Sequence, residues 1–581
     1  MSQENDKKYT LCMYDVRGIQ EYIFRTNRLR QVIGASHLVE NFFQKGISAI
    51  AKDVWPNEPH RYVTDWSCPR EEQRPKLRIE ACSNIDMEVL YIGGGNARIL
   101  FRNKKAGIDH GLDISVLFNR EFSRWVLTQT YSLRLAIARV DTDLERYSDD
   151  HDRLMQEMQV AKANMPSSEP FTGFPIVARE DSSGKALSNE YDYTTRQFVS
   201  QETASKLRAL DRAQKEMPAE GKHLDDLVTL KGEDSWLAIV HIDGNSVGRR
   251  ITDIMSKNQG FSYSETVQVM RSVSYSISQG FETTYNTMRE ALDTIKADPD
   301  EQLIRDIILA GDDITFVCNA NIAIPLVKFF LEEVSQKYMY TGDDEVEDPL
   351  YAFSACAGIA FANSHFPFYD AYQIAEACCS NAKKVAKTEE NQINYIDASG
   401  VGHKLIGSWI DFQFCDHINI TQLEKYREKQ YILTDGTDLL KRPYWVPPGK
   451  ADSQEAGIAC LSDRSIERLL QKIRELSVKG GAMTCGDRNQ IDIAEQDDLC
   501  AEDQAEDQLE KRAEAAIVPR RWCKKAREAY TRGRPAMLAF ITEARSRHKD
   551  FPINRENAYT GHVANYYDAV ELVDHFQDIL L

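Results

Sequence analysis

The chain contains the same pattern twice. An apolar strand ends in Asp, passes through a glycine turn into a helix, and is followed later by two apolar strands joined at glycines. The first copy runs from Tyr9 to Asp15, continues through Val16-Arg17-Gly18-Ile19-Gln20, and has its hairpin at Met87 to Phe101 around Gly93-Gly94-Gly95-Asn96. The second runs from Trp236 to Asp243, continues through Gly244-Asn245-Ser246-Val247-Gly248, and has its hairpin at Ile307 to Cys318 around Ala310-Gly311-Asp312-Asp313. Asp15 precedes Gly95 by 80 residues, and Asp243 precedes Asp312 by 69. Strands pair readily across such tight glycine turns. The repeat therefore reads as an internal duplication of one α/β unit.

Within the second unit, the stretch Ser264 to Ile295 is amphipathic and Ile322 to Tyr338 is a predicted helix. A predicted strand, Ala352 to Phe361, a helix, Tyr369 to Lys387, and a short strand, Ile393 to Ile396, follow. Central strands with helices segregated to one face make this an α+β layer. Periodicity from residue 400 onward reads as mainly helical. Residues 491–510 hold nine acidic and no basic side chains, the signature of a solvated, disordered loop.

The whole chain has 581 residues, enough for about three or four domains. No run of about 18 apolar residues marks a membrane span. The N-terminus lacks the flanks of a signal peptide. Twelve scattered cysteines with no CxxC pair indicate reduced thiols and a cytoplasmic setting. The net charge of −19 argues against general nucleic-acid affinity, which comes from neutralising phosphates. One basic cluster stands apart: Arg520, Arg521, Lys524, Lys525, Arg527, Arg532 and Arg534 around Trp522. Cations with an aromatic ring suit RNA or triphosphate, but an ordinary solvated helix face is the favoured reading. Arg25, Arg28 and Arg30, beside the first unit, read the same two ways.

The chemistry concentrates at Asp243 with Ala310-Gly311-Asp312-Asp313. Nucleotidyl transfer uses divalent ions at the attacking hydroxyl and the leaving pyrophosphate. Mg²⁺ takes one or two carboxylates plus phosphate oxygens. An Asp at a strand end beside two Asp at the neighbouring turn supplies such carboxylates at one sheet edge, and Ala310-Gly311 lets backbone approach phosphate. Read alone, an Asp-rich turn is an ordinary solvated β-turn.

These motifs resemble the palm shared by GGDEF diguanylate cyclases, class III nucleotide cyclases and the CRISPR polymerases. They are most similar to the large subunit of type III CRISPR effector complexes (the Cas ten or Cmr-two-like family). The resemblance covers roughly 9–141 and 235–396 and also includes Leu29-Arg30, Gly34-Ala35-Ser36 and the block Ser354 to Ala360. It implies two tandem ferredoxin-like palm (nucleotidyl cyclase) domains and a mainly helical C-terminal domain. The divisions expected are a degenerate first palm at 1–165, a partly helical linker at 166–232, a catalytic second palm at 233–400, and a helical region at 401–581 with its acidic loop near 481–512.

The resemblance also implies roles. Asp243, Asp312 and Asp313 would be catalytic and, with the Gly244 carbonyl, would hold Mg²⁺ or Mn²⁺ in a two-metal site. Gly244, Asn245, Ser246, Gly248, Ala310 and Gly311 would line the nucleotide. Ala375-Glu376 through Ala382-Lys383 is similar to the family's helix whose lysine faces the donor triphosphate, so Lys383, with Lys384 as substitute, would steady the pyrophosphate charge. Asp15, Gln20, Gly93, Gly94, Gly95 and Asn96 would hold the acceptor nucleotide, or form only a structural pseudo-palm.

The implied activity joins ATP or another NTP into a cyclic or linear oligonucleotide second messenger with release of pyrophosphate, in antiviral defence. Nucleoside triphosphates, CRISPR RNA, effector subunits and a downstream effector sensing the product are the expected partners, with no membrane. A catalytically weak scaffold subunit and a GGDEF-type cyclic dinucleotide synthase are the alternatives. The sequence departs from the family in having AGDD for GGDD. With the first unit starting near residue 9, neither an N-terminal HD nuclease nor DNA cleavage is expected. The zinc element between palms is also missing, because 83–317 contain no cysteine.

Overall fold

The computed structural model describes residues 7–579 except 27, 41, 67–76, 94, 105–112, 166–175, 217–235, 258–259, 297–301, 342–347, 398, 416–421, 449–462, 478–519 and 549–550. Gly94, much of the 166–232 linker and the acidic loop near 481–512 therefore lie outside the described residues.

The first unit is a five-stranded sheet, β2-β3-β4-β1-β5, of β1 (Tyr9–Arg17), β2 (Tyr62–Val63), β3 (Met87–Gly93), β4 (Asn96–Arg102) and β5 (Arg134–Thr142). In the linker, β6 (Glu190–Asp192) and β7 (Gln197–Val199) form a separate hairpin, followed by the helix Gln201–Glu216.

The second unit is a six-stranded sheet, β15-β14-β11-β8-β10-β9. Its strands are β8 (Trp236–Gly244), β9 (Ile304–Ala310), β10 (Asp313–Asn319), β11 (Ala355–Asn363), β14 (Ser408–Phe414) and β15 (Tyr444–Val446). Between β11 and β14, β12 (Gln392–Ile396) pairs only with β13 (Gly402–Ile406).

The duplication is visible in the strand order. Four strands run β3-β4-β1-β5 in one sheet and β9-β10-β8-β11 in the other. The register agrees as well: Asp15 stands opposite Asn96, as Asp243 stands opposite Asp313. The expected α+β architecture with tandem palm sheets holds.

The second sheet continues past residue 400. β14 pairs in parallel with β11. All seven of its residues, Ser408 to Phe414, are buried, so it shows no polar alternation to mark it as a strand. The helices Ile466–Ser477, Arg520–Thr531, Arg534–Arg547 and Tyr567–Leu572 do not make a separate core. Leu469, Trp522, Tyr530 and Val570 join Phe330, Phe361 and Ile410 in one cluster.

The two palms are packed together. Phe24 of the helix Ile19–Phe24 stacks on Tyr372 at 3.8 Å, and Ser36 Oγ donates to the Ile307 carbonyl. On the other side, Arg271 of the helix Tyr263–Ile295 is buried against β3. Its guanidinium bonds Glu88 Oε1 at 2.9 Å and the Val89 and Leu90 carbonyls at 2.8 Å each. That helix begins with Ser262 and Glu265 in a reciprocal capping box. No helix among the described residues is long and apolar enough to cross a membrane.

Candidate active site at the palm junction

β8 and β10 are neighbours, so the directly opposed Asp243 and Asp313 lie on one face of the sheet. The β9–β10 turn is Gly311-Asp312, with a positive φ of 67° at Gly311 and none at Asp312. This is the pattern of a turn with glycine at its first central position. The turn lays Asp312 over Gly244: a Cβ at 244 would sit 2.9 Å from Asp312 Oδ2. Gly244 N–H also donates to the Asp312 carbonyl at 3.2 Å.

The cation comes from the helix Phe368–Ala386. Lys383 Nζ pairs with the Asp243 carboxylate and donates to the Gly244 carbonyl at 2.9 Å. Lys384 points elsewhere and pairs with Glu424. The helix lies close on β11 because Gly358 has no side chain: a Cβ there would be 1.9 Å from the Ala375 carbonyl oxygen.

Electrostatics follow from crowding. Burial, then the charges of Asp243 and neighbouring acids, raise the Asp312 carboxyl to about 6 and the Asp313 carboxyl to about 7. Glu376 is raised for the same two reasons, burial and Asp243. His241 lies two residues before Asp243 on β8, with Nδ1 3.1 Å from Thr315 Oγ1. Burial depresses it to about 4, so it faces Asp313 neutral near pH 7. Asp313 Oδ1 is buried and accepts no hydrogen bond.

This donor set fits a divalent cation. The Asp243 carboxylate and the Gly244 carbonyl already accept a cation, Lys383, and Asp313 keeps a buried acceptor free. Among the described residues no group of three or more His, Cys, Asp or Glu is spaced as a metal cage. One or two carboxylates plus substrate phosphate is the arrangement Mg²⁺ uses.

The other residues singled out in the sequence divide. Gln20 Nε2 reaches across from the first palm to Asp313 Oδ2 at 3.5 Å. Asn245 is buried, and its amide donates to Ser354 Oγ and the Gly407 carbonyl, so its contacts brace the loop. Ser246 has a positive φ of 56° before the helix Val247–Lys257, which contains Gly248. Ala310 is exposed at the end of β9. In the first palm, Asp15 is paired with Lys162 at 2.8 Å. Gly95 and Asn96 occupy the positions that Asp312 and Asp313 hold in the second palm, and Gly93 ends β3. Arg25 pairs with Glu21 and Glu202, and Arg30 with Asp192. Trp522 is buried against Phe540, so its ring is closed to a stacking base.

Sequence reasoning missed His241, Glu376 and Tyr372 as site residues. Strand period two puts His241 beside Asp243, and helical spacing puts Tyr372, Glu376 and Lys383 on one face. That periodicity was the available signal.

Residues 236–394 match the family model of the Cas10/Cmr2 second palm domain. This segment is similar to a Cas10/Cmr2-type palm. No curated protein matches the chain. Solved structures similar to the chain include a Csm1-Csm4 cassette in complex with AMPPNP, at 12% identity and TM-score 0.47, covering 98% of this chain and 70% of that one. A Csm1-Csm4 cassette in complex with cA4 matches at 12% identity and TM-score 0.38, over 65% of this chain and 53% of that one. One in complex with one ATP matches at 14% identity and TM-score 0.40, over 66% and 54%. The chain thus spans about half the length, 53%, of the cassette chain in complex with cA4. Likenesses this distant carry no functional inference. The matched range contains Asp243, Asp312, Asp313 and Lys383.

Proposed function

We propose that the chain is a metal-dependent nucleotidyltransferase that joins ATP, or another NTP, into a cyclic or linear oligonucleotide second messenger, releasing pyrophosphate. The observation that carries this reading is the junction itself. Asp243, Asp312, Asp313 and Lys383 gather at one sheet end, and Gln20 of the other palm reaches Asp313. In this reading the donor triphosphate would bind the second palm and the acceptor the first. Its place is the large subunit of a type III CRISPR complex in antiviral defence, or a stand-alone relative.

Asp243, Asp312, Asp313 and the Gly244 carbonyl would hold Mg²⁺ or Mn²⁺. Bound there, the ion supplies charge to the donor phosphates and acidity to the attacking 3′-hydroxyl. The chain's own residues do the rest. Lys383 shifts from Asp243 to the triphosphate and steadies the departing charge. Neutral His241, fixed by Thr315, lies behind Asp313 without a hydrogen bond to it. Gln20 orients Asp313 or the acceptor. The Gly95 and Asn96 turn leaves the first palm without a second carboxylate, which suits a binding half.

Product analysis by mass spectrometry tests this. Purified chain is incubated with each NTP and with mixtures, with Mg²⁺ or Mn²⁺, beside Asp312→Ala/Asp313→Ala. An oligonucleotide product lost in the double variant supports the enzyme. Nucleotide binding without product, with and without target RNA, supports the scaffold reading instead.

A further inference from the structure

The duplication reaches beyond the strands to a lysine. The strand beside β1, β5, leads into the helix Tyr147–Ala163, and the strand beside β8, β11, leads into the helix Phe368–Ala386. In the last turn of each helix stands a lysine that meets the aspartate near the end of the palm's first strand. Lys383 Nζ pairs with Asp243, and Lys162 Nζ with Asp15 Oδ2 at 2.8 Å. The backbone repeats as well. Gly244 N–H donates to the Asp312 carbonyl at 3.2 Å, and Val16 N–H to the Gly95 carbonyl at 3.3 Å. The two corners are one construction made twice.

Their charges are opposite in sign. The second palm sets Asp243, Asp312 and Asp313 against one lysine, an excess of negative charge that suits a divalent cation. The first palm has Gly95 and Asn96 at the positions of Asp312 and Asp313, so of the three carboxylates only Asp15 remains. Beyond the aspartate, the second palm places neutral Asn245 beside Ser354, and the first places Arg17 directly opposite Arg134. Strand alternation puts Arg17 on the same face as Asp15, and its Nη1 donates to the Lys162 carbonyl at 3.4 Å. A corner in which Lys162 and Arg17 outnumber one carboxylate does not fit a divalent cation. It fits an anion.

Both cations keep donors to spare. An ammonium carries three N–H donors and a guanidinium five. Among the described residues, Lys162 Nζ spends one on Asp15 and Arg17 spends one on the Lys162 carbonyl. Arg17 is exposed and Lys162 half-buried, so a ligand can reach both from solvent. Beside them, Gly93 has open space where a Cβ would stand, which lets backbone come close to a phosphate.

We infer that the first palm holds the phosphates of its nucleotide directly on Lys162 and Arg17, with no metal ion between. The inference rests on the reading that the first palm carries the acceptor nucleotide, and it deepens that reading by naming what grips the nucleotide. Arg17 offers a planar fork to two phosphate oxygens, and Lys162 adds a point charge beside it. Asp15 anchors the ammonium from the sheet side. The two halves of the junction thereby divide the work: donor binding requires a divalent ion, and acceptor binding does not.

The test is calorimetric titration of the full chain with α,β-methylene-ATP, which cannot release pyrophosphate. In EDTA the parent should bind about one equivalent with Kd below about 1 mM, and with Mn²⁺ about two. Lys162→Met, and Arg17→Gln as a second variant at an exposed position, should each weaken the metal-free binding about tenfold or more while the Mn²⁺-dependent equivalent persists. Lys383→Met should do the reverse. Each variant is checked for an unchanged unfolding temperature. Adenosine, which lacks phosphate, should bind at least about tenfold more weakly than the analogue. The inference is overturned if nothing binds in EDTA, if Lys162→Met and Arg17→Gln bind like the parent, if adenosine binds as well as the analogue, or if Lys383→Met abolishes the metal-free equivalent. Product analysis is a separate readout. Product formed without Lys162-dependent binding in EDTA sinks this inference and leaves the nucleotidyltransferase reading standing. Lys162-dependent binding in EDTA with no product under any condition does the converse.

Discussion

Gly358→Ala is the sharpest perturbation available for the link between packing and the site. The new methyl would meet the Ala375 carbonyl oxygen at 1.9 Å and the Cys379 backbone nitrogen at 2.4 Å. Both are helix backbone, so no flexible side chain can move aside. To reach an ordinary contact the helix Phe368–Ala386 must retreat from β11 by about 1.5 Å, in an interior packed as densely as a crystal. Overpacking of this kind costs typically 1–3 kcal/mol, and a backbone clash belongs at the top of that range, about 3 kcal/mol. The same retreat carries Lys383 away from Gly244, whose carbonyl it reaches at 2.9 Å. Urea denaturation, read by far-ultraviolet circular dichroism, should show the loss in free energy with an unchanged slope. Metal-dependent nucleotide binding should weaken in parallel. A Gly358→Ala chain within about 0.5 kcal/mol of the parent would refute the claim that close helix–strand approach sets the lysine's position.

The remaining predictions bear on charge. Lys383→Met should lower product formation by at least about 100-fold, whereas Lys384→Met should change it less than about twofold, since Lys384 pairs with Glu424 instead; initial rates in a pyrophosphate-release assay separate them. Asp312 and Asp313, raised to about 6 and about 7, favour their protonated forms in the metal-free fold. Their contribution to stability is present below the ordinary carboxyl range and is lost as pH rises through 6 to 7. The unfolding temperature gained on adding Mn²⁺ and a non-hydrolysable ATP analogue should therefore grow between pH 5.5 and 8, and a pH-independent gain would contradict the assignment. Arg271→Leu should cost about 3–5 kcal/mol because it strands the buried Glu88 carboxylate. Arg271→Leu/Glu88→Leu should recover most of that loss in the same denaturation experiment.

Much of this was legible in the sequence because the palms announce themselves by local chemistry. Apolar runs that end in Asp15 and Asp243, and glycines at the hairpin turns, marked β1, β8 and both hairpins within a few residues. The six-stranded extent of the second sheet was not legible. Ser408 to Phe414 is buried on both faces, so the alternation that identifies a half-exposed strand is missing. The short strand at 393–396 was seen, but its partner Gly402–Ile406 was not, and register between distant segments is a tertiary property. At the site, motif and spacing singled out the carboxylates, and the family resemblance of its helix singled out Lys383. The distinction between Lys383 and Lys384 needed the helix to be seated on the sheet. Asn245 looked like a nucleotide ligand from its place after Asp243-Gly244, yet the fold buries it under Ser354 and Gly407. Trp522 looked like a stacking ring among cations; helical periodicity placed it inward, against Phe540.

The unlike turns of the two palms bear on the direction of any synthesis they support. In a symmetric homodimer, one substitution strikes both halves of a shared site at once. Here the halves are different stretches of one chain, so Asn96 opposite Asp15 and Asp313 opposite Asp243 coexist in each molecule. Symmetry is thereby broken at the level of the gene product. A pair with an acidic hairpin turn on one side alone has a head and a tail, and every bond it made would be laid down with the same polarity. Fusion also makes the meeting of the two halves independent of protein concentration, so such a site would work as well at the lowest cellular copy number as at the highest.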